Sequence, residues 1–217
     1  IIKYYKNFDK KFNAIKSETK NLIFLNNLNL GFFPKIYTND DKFLIISFLN
    51  NNSVKPSETR RDLLNAITNM HALNDKHYGF DFDTQIGGLK QINKKINNWV
   101  EFYGDYRLGY IYELINQTNP MEVSINNKIE FLLKNLENYI PKNPTASLLH
   151  GDLWEGNILF YNNNFVGFVD PGSFYGHNEL EVAYLRWFNP VFIDDNFLEK
   201  YNNIIKINEE YLNYEPV

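Results

Sequence analysis

The chain has no cysteine among its 217 residues, and it also lacks a long apolar run and a strong net charge. Without cysteine, disulfide bonds, thiolate catalysis and cysteine–zinc sites are excluded, and the composition fits a cytoplasmic protein. No apolar run approaches the roughly 20 residues that a membrane helix needs. The net charge of −4 provides no basic surface for nucleic acid. We therefore expect neither a membrane nor a nucleic acid as a partner.

Apolar and aromatic residues, in contrast, are abundant. Hydrophobic residues make up 44% of the chain and aromatic residues 17%, which excludes a disordered protein. A chain of this length can bury a substantial core, as one domain or as a small domain joined to a larger one. The composition thus predicts a folded protein. Its fold class and function have to be predicted from sequence motifs.

The main chemical signal lies in residues 150–157. Their form, His-x-Asp-x-x-x-x-Asn, has the spacing of a kinase catalytic loop. In such a loop Asp152 accepts the proton of an attacking hydroxyl, and Asn157 reaches a Mg²⁺ beside the phosphates. Asp170, in a later Val-Asp-Pro segment, supplies a second ligand, because Mg²⁺ prefers hard oxygen donors. A simpler interpretation makes Asp152 a turn residue and Asn157 a cap at the start of a strand.

Two apolar runs explain why these side chains should converge. Residues 158–161 and 165–169 are separated by three asparagines, which predicts a β-hairpin with an Asn-rich turn. The second strand of such a hairpin ends where the first begins. We therefore expect Asp170 to lie beside the loop that holds Asp152 and Asn157.

The rest of the chain predicts a small sheet followed by helices. Strands are expected at residues 1–5, 35–38 and 43–49, and the first helix at about 13–26. A polar, proline-containing stretch at 50–56 predicts a boundary. Further helices are expected at 59–73, 89–103, 125–139, 179–188 and 196–205. This order indicates a protein-kinase-like two-lobe α+β fold, with a partial N-lobe at 1–50 and a mostly helical C-lobe at 51–217.

The N-terminal segment offers candidates for nucleotide binding. In the kinase template a strand lysine contacts the α- and β-phosphates and pairs with a helix glutamate. Lys3 and Glu18 fit these roles, although each taken singly reads more simply as a surface residue. Ser47, Phe48 and Leu49, at the end of the last N-terminal strand, are predicted to form the hinge whose backbone contacts adenine.

Several motifs together resemble the fructosamine kinase (ketosamine kinase) family, which is related to the aminoglycoside phosphotransferases. They are His-Gly-Asp-Leu-Trp-x-Gly-Asn at 150–157, Val-Asp-Pro at 169–171 and the segment 175–183. Trp154 separates the two groups, since aminoglycoside kinases share the His-Gly-Asp but not usually this tryptophan. Residues 79–108, with Gly-Phe, Asn, Trp-x-x-Phe-Tyr and Arg-Leu elements, match as well. Motifs are therefore spread over most of the chain.

The resemblance implies phosphorylation of a sugar hydroxyl on a ketosamine, a fructosamine or a ribulosamine, with ATP and Mg²⁺. It implies that the family's first strands and glycine-rich loop lie upstream of Ile1, and its last helices downstream of residue 217. An aminoglycoside- or choline-type kinase is one alternative, against which Trp154 and the segment 99–108 argue. A nucleotide-binding pseudokinase is another, against which the intact acidic residues argue. The oligomeric state is not indicated.

Three further residues have two interpretations each with respect to the substrate. Trp154 either lines the sugar site or packs against its neighbours. Glu179 and Glu181 either recognise the substrate amine or support the start of a helix, and the structural role is favoured.

Other polar and aromatic residues are predicted to be structural. His150 is expected to brace the catalytic loop by hydrogen bonds, Trp99 to pack in the core, and Arg107 to form a buried ion pair. His71 and His77 lack a metal-ligand pattern and are expected to have no particular role.

Overall fold

The N-terminal part of the chain forms a small antiparallel sheet with one helix. The computed structural model describes residues 1–4, 12–52 and 54–217. Its first strands are β1 (Ile2–Tyr4), β2 (Ile36–Asn39) and β3 (Phe43–Ile46), in the order β1-β3-β2. Lys3 lies opposite Leu44 in this sheet. The three predicted strands are thus present, although Tyr5 of the first lies outside the described residues.

Helix α1 (Ala14–Asn27) follows the first strand. Asn13 caps it, because its side chain accepts the backbone N–H of Lys16 at 3.0 Å. Ile15, Leu22 and Leu25 are buried at helical spacing. Helix α1 therefore packs against the core through its apolar face.

Beyond residue 50, more residues lie in helices than in strands, and short strands separate the helices. Its helices are α2 (Arg61–His71), α3 (Trp99–Tyr103), α4 (Gly109–Thr118), α5 (Val123–Lys134), α6 (Asn178–Phe188), α7 (Phe197–Asn202) and α8 (Tyr211–Tyr214). Its strands are β4 (Asn74–Asp75), β5 (Thr84–Ile86), β6 (Leu89–Gln91), β7 (Ala146–Leu149), β8 (Ile158–Tyr161), β9 (Asn164–Phe168) and β10 (Phe174–His177). The predicted combination of a small sheet, one helix and a largely helical remainder is confirmed, while the boundary near residue 50 stays a prediction.

The helix predicted over residues 89–103 is wrong in its first two thirds. That stretch begins with β6 (Leu89–Gln91), and Ile96 then forms an antiparallel bridge with Tyr78. Only α3 (Trp99–Tyr103) is helical, and it continues through a π-helical turn into α4, which the sequence pattern did not predict. Hydrogen bonds to β5 and to Tyr78 outweigh the helical spacing of the apolar residues here.

Strand β7 lies at the centre of the larger part. It pairs with β10 on one side and β4 on the other, and its four residues are all buried. Helices α2 and α6 both contact it. The strand ends at Leu149, so residues 150–157 follow directly from a fully buried strand of the core.

Within residues 1–4, 12–52 and 54–217, no helix has the length and apolar character needed to cross a membrane.

Candidate active site

His150 opens the loop that follows β7, and its side chain is completely buried. Its Nε2–H donates to the carbonyl oxygen of Val169 at 3.0 Å, and its Nδ1 accepts the backbone N–H of Asp152 at 3.3 Å. Burial lowers the pKa of His150, which favours the neutral ring that these two bonds require. The contacts match the bracing role predicted for this histidine.

Glu181, from the first turns of α6, holds the backbone of the same loop. Its carboxylate accepts the N–H groups of His150 at 3.0 Å and Gly151 at 2.7 Å, and also Nε2–H of His71 at 3.0 Å. Tyr201 in turn donates its hydroxyl to Nδ1 of His71 at 2.7 Å. Burial alone would raise the pKa of Glu181, but these donors hold it below its usual value. The prediction that His71 has no role is therefore wrong, because it orients Glu181.

Asp152 lies at the surface end of this loop with donors on both carboxylate oxygens. Asn157 donates its Nδ2 to Oδ2 at 3.1 Å and to the carbonyl oxygen of Asp152 at 2.8 Å. The Tyr184 hydroxyl lies 3.4 Å from Oδ1. Burial raises the pKa of Asp152, and the negative charges of Asp170 and Glu181 add to this effect. The aspartate is thus oriented and more basic than a surface carboxylate.

The predicted hairpin is present and brings Asp170 to the loop. Strands β8 and β9 pair from Tyr161 opposite Asn164 to Ile158 opposite Phe168. The ladder is extended by the N–H of Val169, which donates to the carbonyl oxygen of Asn157 at 3.0 Å. Asp170 follows with a left-handed φ of 55° and a side chain that is 46% exposed. Asn157 and Asp170 are therefore held side by side.

Lys3 links the N-terminal sheet to this hairpin. Its ammonium contacts the carboxylates of both Glu18 and Asp170, so the predicted lysine–glutamate pair is formed. Glu18 itself is buried. Burial would lower the pKa of Lys3, but the two carboxylates raise it, and the side chain is therefore cationic. The side chain that the sequence predicts to contact the phosphates therefore carries a positive charge.

The three predicted hinge residues follow β3 rather than end it. The N–H of Ser47 donates to the carbonyl oxygen of Lys35 at 2.8 Å, and its Oγ accepts the N–H of Lys35 at 2.9 Å. Phe48 is exposed, and Leu49 packs over Gly167 in the hairpin. The Ser47 N–H is thus engaged within the sheet, and contact between adenine and the backbone groups of residues 47–49 stays a prediction.

Trp154 lies over the catalytic loop and remains 41% exposed. Its indole covers Gly156 so closely that a side chain there would collide with the ring. The indole also approaches Phe188, with ring centroids 6.3 Å apart. The glycine in the Trp-x-Gly-Asn motif is thus explained by the tryptophan two residues before it.

Glu179 has its partners within the chain. Its oxygens accept the N–H of Asn208 at 2.7 Å and the hydroxyl of Tyr214. Glu181 is similarly engaged by the catalytic loop. These contacts favour the structural interpretation of both residues, so neither is proposed as a ligand for the substrate amine.

Arg107 does not form the predicted ion pair. Its guanidinium donates to the carbonyl oxygens of Ile92 at 2.9 Å and Tyr106 at 2.8 Å, and to Oδ1 of Asn93 at 2.6 Å. It also lies 3.9 Å from the centre of the Phe174 ring. In the described part of the chain no carboxylate lies within 4 Å of it. Trp99, as predicted, is buried in the core.

Tyr184 was missed because it belongs to none of the motifs that predicted the site. It lies 32 positions from Asp152, yet its hydroxyl reaches that carboxylate. One signal was present in the sequence, since Tyr184 is three positions after Glu181 and therefore on the same side of α6.

The donor set fits Mg²⁺ in a kinase setting. Asp170 offers a half-exposed carboxylate and Asn157 an amide, both hard oxygen donors. No cluster of three or more His, Asp or Glu side chains suited to a metal occurs in residues 1–4, 12–52 and 54–217. Mg²⁺ is commonly held by one or two carboxylates together with substrate phosphates, so these two residues suffice only beside a nucleotide.

A family model described as fructosamine kinase matches residues 3–217. The chain belongs to the fructosamine kinase family. It is 32% identical over 159 residues to a probable ketoamine kinase of Enterococcus faecium, covering 73% of this chain and 57% of that one. It is 39% identical over 116 residues to the chloroplastic protein-ribulosamine 3-kinase of Arabidopsis thaliana, covering 52% and 34%. The chain thus spans less than two thirds of either relative.

Solved structures support the kinase-like fold of this fructosamine kinase family member. A Thermobifida fusca protein to which fructosamine-3-kinase function is ascribed has a TM-score of 0.83 at 22% identity, covering 99% of this chain and 74% of that one. The gentamicin complex of the phosphotransferase APH(2")-IIa has a TM-score of 0.67 at 18% identity, covering 99% and 72%. The predicted relation to aminoglycoside phosphotransferases is therefore confirmed at the level of the fold.

Proposed function

We propose that this protein transfers the γ-phosphoryl group of ATP to a sugar hydroxyl of a small ketosamine, a fructosamine or a ribulosamine. The observation that carries the proposal is the convergence of Asp152, Asn157 and Asp170 at one hairpin end, beside a cationic Lys3. Membership of the fructosamine kinase family supports the substrate class. The cysteine-free chain suits a reducing compartment such as the cytoplasm.

Each side chain has a distinct task in this proposal. Asp152 orients the acceptor hydroxyl and takes its proton, for which its raised pKa suits it. Lys3, steadied by Glu18, contacts the α- and β-phosphates. Asn157 and Asp170 would hold Mg²⁺, and the bound ion would neutralise the negative charge of the phosphates. Phosphoryl transfer needs positioning and charge stabilisation more than covalent help from the protein, and these residues provide both.

The nucleotide is proposed to lie between the N-terminal sheet, residues 1–50, and the remainder of the chain. Lys3 and Asp170 come from these two parts and are in contact. Phe48 and Leu49 are proposed to contact adenine through their backbone groups. Trp154 offers an exposed aromatic face beside Asp152 on which a sugar ring can pack.

We expect the purified protein to phosphorylate ribulosamines or fructosamines in preference to aminoglycosides and choline. The measurement is kcat/KM with Mg²⁺-ATP over a panel of these acceptors, with product phosphorylation followed by mass spectrometry. The Asp152→Asn variant serves as the control for contaminating kinases. Preferred turnover of an aminoglycoside would overturn the substrate class, and nucleotide binding without transfer to any acceptor would favour a pseudokinase.

Asp170→Asn is expected to weaken Mg²⁺-ATP binding roughly 10- to 100-fold, as loss of a charged contact of 1.5–3 kcal/mol implies. Asparagine tolerates the left-handed backbone at this position, so the fold should be retained. Titration calorimetry with Mg²⁺-ATP measures the effect. A matched control is Asp41→Asn, which removes an exposed carboxylate 3.6 Å from Lys16. Unchanged affinity with a large loss of thermal stability would show that Asp170 is structural.

A further inference from the structure

Tyr184 contacts the proposed base without belonging to any motif of the catalytic loop. Its hydroxyl lies 3.4 Å from Oδ1 of Asp152, and Asn157 occupies Oδ2 from the other side. Burial raises the pKa of Tyr184 to about 12, so the hydroxyl keeps its proton at neutral pH and donates it to the carboxylate. An ionised carboxylate has about four lone-pair sites, and two of them are used here.

The ring of Tyr184 is held by packing on its own helix. It meets Phe188 edge to face with centroids 4.9 Å apart, and it lies 6.4 Å from Trp187. Phe188 in turn approaches Trp154 of the catalytic loop. The hydroxyl is therefore presented to Asp152 from a supported side chain, and little freedom is lost when the bond forms.

One helix thus controls two features of the same loop. Glu181 binds the backbone N–H groups of His150 and Gly151, and Tyr184, one turn later, binds the side chain of Asp152. The backbone contact alone leaves the rotation of the carboxylate unset. Donors on both oxygens restrict it, because hydrogen-bond donors prefer to lie near the plane of the carboxylate.

We propose that Tyr184 is a positioning residue that fixes the orientation of the Asp152 carboxylate for proton transfer from the acceptor hydroxyl. This inference rests on the phosphotransferase function proposed above. With Oδ1 and Oδ2 each holding one donor, the remaining lone pairs face the acceptor in a defined direction. Such pre-orientation contributes to the transfer step and not to nucleotide binding.

Tyr184→Phe is expected to lower kcat about tenfold with both substrates saturating, in line with loss of a hydrogen bond to a charged group. The KM for Mg²⁺-ATP and the melting temperature should change little, since the ring and its packing are retained. The matched control is Tyr112→Phe in α4, whose hydroxyl lies 3.2 Å from Glu130. This control removes a tyrosine–carboxylate bond that involves neither α6 nor the loop and should leave kcat unchanged.

A double-mutant cycle with Asp152→Asn separates positioning from a general structural effect. In the Asp152→Asn background, Tyr184→Phe should cause no further fall in kcat, because there is no base left to orient. An equal loss in both backgrounds, an unchanged kcat in the single variant, or an equal loss in the Tyr112→Phe control would overturn the proposal.

The cycle is measured with whichever acceptor the wild-type protein phosphorylates best, so a wrong substrate class leaves the test of Tyr184 intact. Absence of transfer to every acceptor would instead reject the proposed function together with this role. The wild-type rate therefore reports on the function, and the ratio of variant to wild type reports on Tyr184.

Discussion

Asp152→Asn is expected to lower kcat by about 10²- to 10⁴-fold, the usual contribution of a general base. The amide has nearly the same size as the carboxylate but cannot accept the proton of the acceptor hydroxyl. Mg²⁺-ATP binding should be kept, because Lys3, Asn157 and Asp170 are unchanged. A loss confined to kcat identifies an interaction made in the transition state.

The stability of the same variant provides an independent check. The pKa of Asp152 is raised by burial, with Asp170 and Glu181 contributing, so its ionised form is disfavoured in the folded state at neutral pH. Replacing it with a neutral amide removes that cost. The melting temperature at pH 7 should therefore be equal to or above that of the wild type, although activity is lost.

Single-turnover kinetics, calorimetry with Mg²⁺-ATP and a thermal melt measure these effects together. Asp105→Asn is a suitable control, since Asp105 is exposed in the π-helical turn between α3 and α4. A near-normal rate for Asp152→Asn would show that another group takes the proton.

Local sequence signals were sufficient to predict the hairpin and to predict that Asp170 lies near the loop with Asp152 and Asn157. Asn162 and Asn163 both adopt positive φ values, 47° and 67°, as a tight two-residue hairpin turn requires. The turn sets the pairs Tyr161–Asn164 and Phe160–Phe165, and a β-bulge beyond them shifts the ladder by one residue, so that Phe168, two residues before Asp170, lies opposite Ile158. The contact between Lys3 and Glu18 was likewise expected, because a strand and the helix after it pack together in the kinase template.

Contacts between distant segments account for what the sequence did not predict. Apolar residues at 89, 92, 96, 100 and 103 follow a helical period, but Asn98 caps a helix that starts only at Trp99. Ile96 is paired with Tyr78, and the Asn93 side chain is held by Thr84 at 2.7 Å. Such pairings depend on how separate elements meet, and periodicity carries no information about them.

The support of the catalytic loop was missed for the same reason. His71, Glu181 and Tyr201 come from three separate helices, and His71 in α2 lies more than 100 positions before the other two. Each residue taken singly reads as an ordinary helical side chain. Only the fold shows that together they fix the N–H groups of residues 150 and 151.

Gly151→Ala is expected to remove most of the activity, with kcat lower by about 10²-fold, as a displacement of the catalytic group near 1 Å implies. Gly151 has a left-handed φ of 82°, and an added Cβ would collide with the carbonyl oxygen of Gly172 and lie 2.7 Å from its carbon. The loop must shift to relieve this contact, and Asp152, the next residue, must shift with it. We also expect a loss of stability of about 2–5 kcal/mol from backbone strain and overpacking together.

Gly88→Ala separates the effect of backbone strain at a positive φ from the effect of a steric clash of the added Cβ. Gly88 has nearly the same φ, 85°, but no atom lies within 4 Å of the position that its Cβ would take. It lies in the two-residue turn between β5 and β6, so strain of about 1 kcal/mol and a fall in melting temperature of roughly 2–4 °C are expected, with kcat retained. Thermal melts and kcat for both variants make the comparison. Equal effects of the two substitutions would mean that strain at a positive φ is sufficient, and that the close approach of Gly151 to Gly172 does not hold the catalytic loop in place.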